Sequence, residues 1–355
     1  NKNLYFLVSE KYLLFNSEYI EEHLDNLLNF QIIDKSIELL NRIISNKDFY
    51  SLKGKSKYEY NLLLCRIISS NPFINDLKNS ISTFENAIIN YSNEKCSFWL
   101  LFIEFWIKRG NVKNARNNFI ISIDSIDSIK DFNILYNSYI KFEEDLLSFY
   151  IENENSDPDK FIEMEEIQIN LIENLLDNRD LMLNHCKLKS DINNVDFWIE
   201  RFGLLIKNKD LFEKEILLCF NKIDEKIIGI KICDIWFYIV KYLKENKSFE
   251  KMNKLYQKAL SISYSVQESY VEIFAHWIET LLSLNFHKDS IRLMDLLLTP
   301  SQQKSNDHFQ FSKCRVAIRN FNKIWSLYID ILTKFSESEN VLKVYKTMIH
   351  IKIIS

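Results

Sequence analysis

The chain has 355 residues, 47% hydrophobic and 26% charged, with a formal net charge of −4; this is a globular composition, and its balance excludes a strongly basic nucleic-acid surface. Only 4 residues are Gly and 3 are Pro, where average usage of about 7% and 5% gives roughly 25 and 18. Tight hairpins, phosphate loops and nucleophile elbows need those residues, so sandwiches, doubly wound sheets and (β/α) barrels are excluded and a long all-helical chain remains.

The first residues, Asn1-Lys2-Asn3-Leu4, do not form a signal peptide and pass straight into a helical pattern. The chain ends at Ile353-Ile354-Ser355 inside another such pattern. A fragment of a longer protein is expected. Aromatic residues then mark a repeat. Tyr19, Tyr60, Trp99 and Tyr136 are spaced by 41, 39 and 37 residues; Trp198, Trp236, Trp277 and Trp325 follow with steps of 38, 41 and 48. Each Trp of this ruler has an apolar residue twenty positions on: Phe119, Leu218, Tyr256, Leu297 and Tyr345. The spacing predicts helical hairpins of two roughly 15-residue helices each.

Trp99-x-x-Phe102-x-x-Phe105 lays three rings along one helix stripe. Gly110 follows at a helix-terminating turn, and Ala115-Arg116 with Phe119 forms the inner face of the second helix. Tyr136, Tyr139, Phe142 and Glu143 repeat the first half. Trp236, Ile239 and Tyr242 with Tyr256, Ala259 and Leu260 repeat both halves, as do Trp325, Tyr328 and Ile331 with Val344 and Tyr345. This is the half-a-TPR, or HAT, pattern. One hairpin cannot bury both stripes, so hairpins stack, and the stripe residues are expected to be core.

Two stretches break the rhythm. Residues 152–166 carry seven acidic residues and one Lys around Asp157-Pro158-Asp159, and read as a solvated loop leading into a helix at about 160–178. Thr299-Pro300 to Asn306 is a polar insertion that accounts for the 48-residue step. The expected organisation is a HAT-repeat block at 1–151, the acidic loop at 152–166 and a second block at 167–355. Together they would form one solenoid with a right-handed superhelix, truncated at both ends.

Chemical motifs are sparse. Lys53-Gly54-Lys55-Ser56 has the ending of a phosphate-binding loop, but the glycine required five residues before Gly54 is Phe49. His185-Cys186 has no second pair at metal-ligand spacing, and six histidines are scattered along the chain. The six cysteines form no C-x-x-C pair and read as buried thiols of a reducing compartment. No apolar run approaches the ~18 residues of a membrane span. No cofactor, metal, small-molecule substrate or membrane partner is expected, and no enzyme. Lys313, Arg315, Arg319 and Lys323 form a basic cluster with helical spacing, a candidate contact for a partner or for RNA phosphate that also fits a solvated or internally paired face.

Several segments, in order, resemble one family, the SYF-type pre-mRNA splicing factors (XPA-binding proteins). Ser17-Glu18-Tyr19-Ile20-Glu21 resembles its A-E-E-Y-I-E-Y. Gly54-Lys55-Ser56-Lys57-Tyr58 resembles A-G-K-S-N-Y, followed by Cys65 and Ser70-Asn71-Pro72. Tyr136 to Glu144 resembles F-D-S-Y-A-Q-F-E-E, with an acidic stretch behind it. Asn194-Val195-Asp196-Phe197-Trp198 resembles N-V-H-E-W, and Arg315-Val316 through Tyr328 resembles R-V-Y-K-S-L-K-V-W-S-x-Y. Asn61 stands where the family shows Trp. The resemblance implies a nuclear, non-catalytic HAT scaffold of the spliceosome, bound to a crooked-neck-type HAT protein and NineTeen complex subunits, with RNA contact weak or indirect. A HAT scaffold of mRNA 3′-end cleavage or ribosomal RNA maturation is the alternative. The partner face is expected on the exposed sides of second helices.

Overall fold

The computed structural model describes residues 8–9, 11–13, 17–152, 158–298, 312–335 and 338–350. Among them all regular structure is helical, and no helix is long and apolar enough to cross a membrane. The chain divides into two compact units, 1–190 and 191–355.

The first unit is built of helical hairpins. A 3-10 turn at Ser17–Tyr19 leads into α1 (Ile20–Asn29) and α2 (Ile33–Ser45). Next come α3 (Lys57–Ser70) with α4 (Leu77–Asn90), α5 (Lys95–Lys108) with α6 (Val112–Ser125), and α7 (Ile129–Glu152) with α8 (Pro158–Asp177). The unit closes with α9 (Arg179–Ser190), which packs on α7 and α8. The second unit holds α10 (Val195–Leu205) with α11 (Lys209–Lys222), α12 (Ile232–Glu245) with α13 (Phe249–Ser261), and α14 (Gln267–Ser283) with α15 (His287–Leu298). Then follow α16 (Ser312–Arg319), α17 (Asn322–Phe335) and α18 (Ser338–His350).

The stacking rule is the same in both units: a ring on the second helix of one hairpin packs on a ring of the next hairpin's first helix. Phe84 stacks on Phe102 at 4.9 Å, and Phe119 on Tyr139 at 4.8 Å. In the second unit Phe220 stacks on Trp236 at 4.0 Å and Tyr256 on Trp277 at 5.3 Å. Such pairs add directional attraction to the apolar area that each ring removes from water. Trp99, Phe102, Phe119, Tyr136, Tyr139, Trp198, Trp236, Tyr256, Trp277, Trp325 and Tyr328 are all buried.

Tyr345 is not; it is 41% exposed, and the buried residue of α18 at this place is Val344. The twenty-residue step fails in the same way in α11, where Leu218 is exposed and Cys219 is buried. Each helical residue turns by about 100°, so a one-residue change in hairpin length moves the inward position to a neighbour. Tyr19, the first mark of the ruler, is also exposed and lies against Tyr12.

The turns explain how so few glycines suffice. In four hairpins the first helix ends in one residue with left-handed backbone: Gln31 (φ 57°), Gly110 (φ 71°), Lys247 (φ 53°) and Asn285 (φ 63°). Each time that residue's N–H bonds three residues back and the next N–H bonds five back, as in Gly110 to Ile107 and Asn111 to Trp106. Lys247 to Lys244 with Ser248 to Leu243 is the same pair. This is the Schellman termination, which satisfies carbonyls that the helix end would orphan. Gln31 and Lys247 adopt it against the ordinary preference of a residue with a Cβ. Replacing Lys247 by Gly is expected to stabilise the second unit by about 0.5–1 kcal/mol, part of the strain relief being offset by glycine's larger chain entropy. Urea unfolding checks it; a loss of stability would contradict the strain.

The division falls between Ser190 and Asp191, not at the acidic stretch. Helix α8 is bound into the first unit by polar contacts. Gln168 is buried, and its amide donates to the Glu143 carbonyl at 2.9 Å and to the Glu143 carboxylate at 2.6 Å. The Tyr136 hydroxyl donates to the Leu175 carbonyl at 2.9 Å. Helix α8 opens at Pro158, where proline's fixed φ suits the first helical turn. Residues 153–157 of the expected loop and 299–311, which hold the expected insertion, lie outside the described residues.

Candidate partner-binding surface

The segment with a phosphate-loop ending is folded around an anion supplied by the chain. Glu21 is buried, and its carboxylate accepts hydrogen bonds from the Ser51 and Tyr60 hydroxyls and from the Lys53 N–H at 3.1 Å. The Lys55 N–H donates to the Ser51 hydroxyl at 2.9 Å, Gly54 takes φ +71°, and the Lys53 ammonium pairs with Asp25. Ser56 then starts α3 with a reciprocal capping box to Glu59. Loop and helix start are therefore engaged in joining the first two hairpins.

Burial raises the Glu21 carboxyl, but the bonds from Ser51, Tyr60 and the Lys53 and Leu52 backbone outweigh it and hold the group below its ordinary 4.5. Burial, then the bond to Glu21, pushes Tyr60 up to about 12. A depressed carboxyl stabilises the fold fully above its unfolded value, and that contribution is lost as pH falls through the folded one. The first unit is thus expected to lose stability below pH about 4.5, with Glu21→Gln flattening that part of the curve. Unfolding midpoints measured from pH 7 down to 3 decide it; identical slopes for the two proteins would contradict the assignment.

The basic cluster is also largely used internally. Arg315 and Arg319 both donate through Nε to the Leu297 carbonyl, at 3.2 and 3.1 Å, in the last turn of α15. Cations there complement the negative end of the helix. Burial, then the neighbouring Arg315, lowers the Arg319 guanidinium from its ordinary value. Lys323 pairs with Glu272 at 2.7 Å, both being well exposed. The side chain of Lys313 lies outside the described residues. The structure thus joins Arg315 and Arg319 at one carbonyl and sends Lys323 to α14.

The reactive groups behave similarly. All six cysteine side chains are buried, and burial pushes Cys65 up to about 12 and Cys96 up to about 11. His185 and Lys189 both bond to Asp124 at the end of α6. His276 stacks on Phe237 and shares a 2.7 Å hydrogen bond with the Tyr256 hydroxyl; burial, then Lys244, lowers it. Among the described residues no group of three or more His, Cys, Asp or Glu is placed to hold a metal ion.

What is left open is surface between repeats. In the first unit an apolar groove of about 430 Å³ runs between α5 and α7, lined by Leu100, Ile103, Ile107, Phe142, Leu146 and Phe149. In the second, Ile199, Phe237, Tyr238 and Val240 line a groove between α10, α12 and α14, with Lys241 and His276 at its edge. Both grooves run mainly between first helices, with Phe119 of the second helix α6 also lining the first groove, whereas the sequence pattern points to the exposed sides of second helices. Helical periodicity identifies which residues face inward but not how far apart consecutive helices stand, and that separation is what forms a groove.

The sequence that forms these hairpins matches two known repeat families. Residues 20–222 match the family described as the Pre-mRNA-splicing factor SYF1 middle HAT repeat. The chain belongs to the SYF1 family. Residues 226–355 match the Syf1/CRNKL1 C-terminal HAT repeat. Among curated relatives, Pre-mRNA-splicing factor SYF1 of Dictyostelium discoideum is 25% identical over 358 residues, spanning 98% of this chain and 41% of the relative. The Drosophila melanogaster syf1 homolog is 23% identical, with 98% and 40% covered. The Homo sapiens SYF1 is 19% identical, with 97% and 40% covered. The chain therefore spans about two fifths of the length of these relatives. The two SYF1 matches meet within the second unit, between α11 and α12.

Proposed function

We propose that this chain is the HAT-repeat portion of a nuclear, non-catalytic scaffold of the spliceosome. It would hold partner proteins, including a crooked-neck-type HAT protein and NineTeen complex subunits, by helix docking on stacked repeats. The observation that carries the reading is collinearity: the middle and C-terminal SYF1 repeat families match consecutively from residue 20 to 355, and relatives named as splicing factors align across nearly the whole chain. The non-catalytic part is supported by what the reactive groups do. The thiols are packed, the phosphate-loop-like segment is closed on Glu21, and two of the clustered arginines cap a helix. Open apolar grooves between first helices suit partner side chains.

Depletion and add-back test the reading. Removing the protein from nuclear extract should arrest splicing of a reporter transcript, and the purified protein, with its associated subunits, should restore it. Splicing that continues undiminished after complete depletion would contradict the proposal.

A further inference from the structure

The longest hairpin of the first unit extends beyond its own core. Helix α7 has 24 residues and α8 has 20, where the other helices of this unit have 10 to 14. The last buried residue of α7 is Glu143, and among the described side chains of α8 only Gln168 is buried. No described side chain from Glu144 to Ile167 is buried. The nine residues of α7 beyond Glu143 alone amount to about 13 Å of helix at 1.5 Å per residue.

This tip, the stretches 144–152 of α7 and 161–167 of α8, carries an unusual surface. The two stretches hold six Asp or Glu and no Lys or Arg, a net charge of −6, whereas the whole chain carries −4. Large apolar side chains sit among the acids: Phe149 (52% exposed), Ile151, Ile162 and Ile167 (58%). They interleave at helical spacing. Asp145 lies one turn before Phe149, Glu163 one turn before Ile167, and Glu166 one turn after Ile162. Asp145, Leu146 and Phe149 also line the apolar groove between α5 and α7, so groove and tip share one surface.

We propose that the α7–α8 tip, with the adjoining groove, is a docking arm for a basic amphipathic helix of a partner protein. Apolar residues of that helix would enter the groove and cover the exposed isoleucines, while its Lys and Arg would meet Asp145, Glu163 and Glu166. Charge selects this occupant. A surface at −6 repels RNA phosphate and anionic lipid, and it attracts a cationic helix. The exposed apolar side chains distinguish it from a merely solvated acidic face, because only a partner that is apolar as well as basic satisfies both. The inference rests on the scaffold reading in that it names what one part of the scaffold holds.

A designed peptide tests the chemistry directly. The full chain is titrated into a labelled, roughly 18-residue helix with Leu on one face and Lys and Arg on the other. A scrambled peptide of equal composition and one with Glu in place of Lys and Arg serve as controls. The amphipathic basic peptide should bind best and weaken as salt rises. The combined substitution Asp145→Lys, Glu163→Lys and Glu166→Lys should weaken it at least ~10-fold, and so should Ile162→Ser with Ile167→Ser. Both variants alter exposed residues and should melt as the parent does. Equal binding of all three peptides, or no loss in either variant, would overturn the arm. A second arm of the experiment purifies the charge-reversed protein from cells. Loss of one subunit whose crosslink to the tip lies in a basic amphipathic segment supports the proposal. Retention of every subunit overturns it and leaves the scaffold reading standing. Absence of splicing proteins from the parent's own purification would sink the scaffold reading, with the peptide titration still deciding the arm.

Discussion

Arg116→Ala is expected to cost the first unit about 3–5 kcal/mol, the loss typical of breaking a buried ion pair from one side. Glu143 is fully buried in α7, and Arg116 reaches it from α6 with Nε at 2.8 Å and a terminal nitrogen at 2.9 Å. The same guanidinium donates to the Gln168 amide oxygen on α8 at 2.6 Å, and the bond to Glu143 raises it further above its ordinary value. One side chain thus ties three consecutive helices, and its removal strands a carboxylate in the core. Replacing the whole trio, Arg116→Met with Glu143→Leu and Gln168→Leu, should recover most of the loss, because the expensive species are the unpaired charge and the stranded Gln168 amide. Hydrogen exchange across α6, α7 and α8, with unfolding midpoints, reads the effect. An alanine variant as stable as the parent would show that the trio contributes nothing.

The second large effect belongs to the tryptophans, and it separates packing from hydrogen bonding. Trp236 is buried and stacked on Phe220 at 4.0 Å, so Trp236→Ala should cost about 3–5 kcal/mol through the cavity it leaves. Its indole N–H has no hydrogen-bond acceptor, whereas that of Trp325 donates to the Arg319 carbonyl at 2.8 Å. Phenylalanine keeps most of the apolar surface and deletes the donor. Trp325→Phe should therefore cost about 1 kcal/mol more than Trp236→Phe. Matched urea titrations of the two variants give the comparison; equal losses would show that the carbonyl finds other partners.

The parts legible in the sequence are those governed by local periodicity. Trp99-x-x-Phe102-x-x-Phe105 and its counterparts announce a buried stripe because 3.6 residues per turn is a property of the backbone itself. Turn chemistry is less visible. Gly110 declares its left-handed turn by residue type, but Gln31 and Lys247 take the same conformation because the helices on either side require it. Polar contacts across hairpins are hidden for another reason. Ser51 and Tyr60 lie 30 and 39 residues from Glu21, and Gln168 lies 25 from Glu143. Nothing at such separations shows which donor finds which acceptor until the stack is built. Tyr345 shows the limit of a fixed ruler, since one residue of slippage turns a core position outward.

The candidate site divides along the same line. The spacing of Arg315 and Arg319 predicts a shared face, which the structure shows, but their acceptor is a carbonyl across the preceding insertion. The acidic stretch is visible as composition. Its meaning changes once α7 and α8 are seen to run past their last buried residues with apolar side chains still exposed.

Affinity purification of the protein from nuclear extract, with its partners identified by mass spectrometry, tests the central claim most directly. Splicing proteins, among them a crooked-neck-type HAT protein and NineTeen subunits, should co-purify at near-stoichiometric amounts and persist after RNA is digested. Recovery only of mRNA 3′-end or ribosomal RNA processing factors would contradict the account.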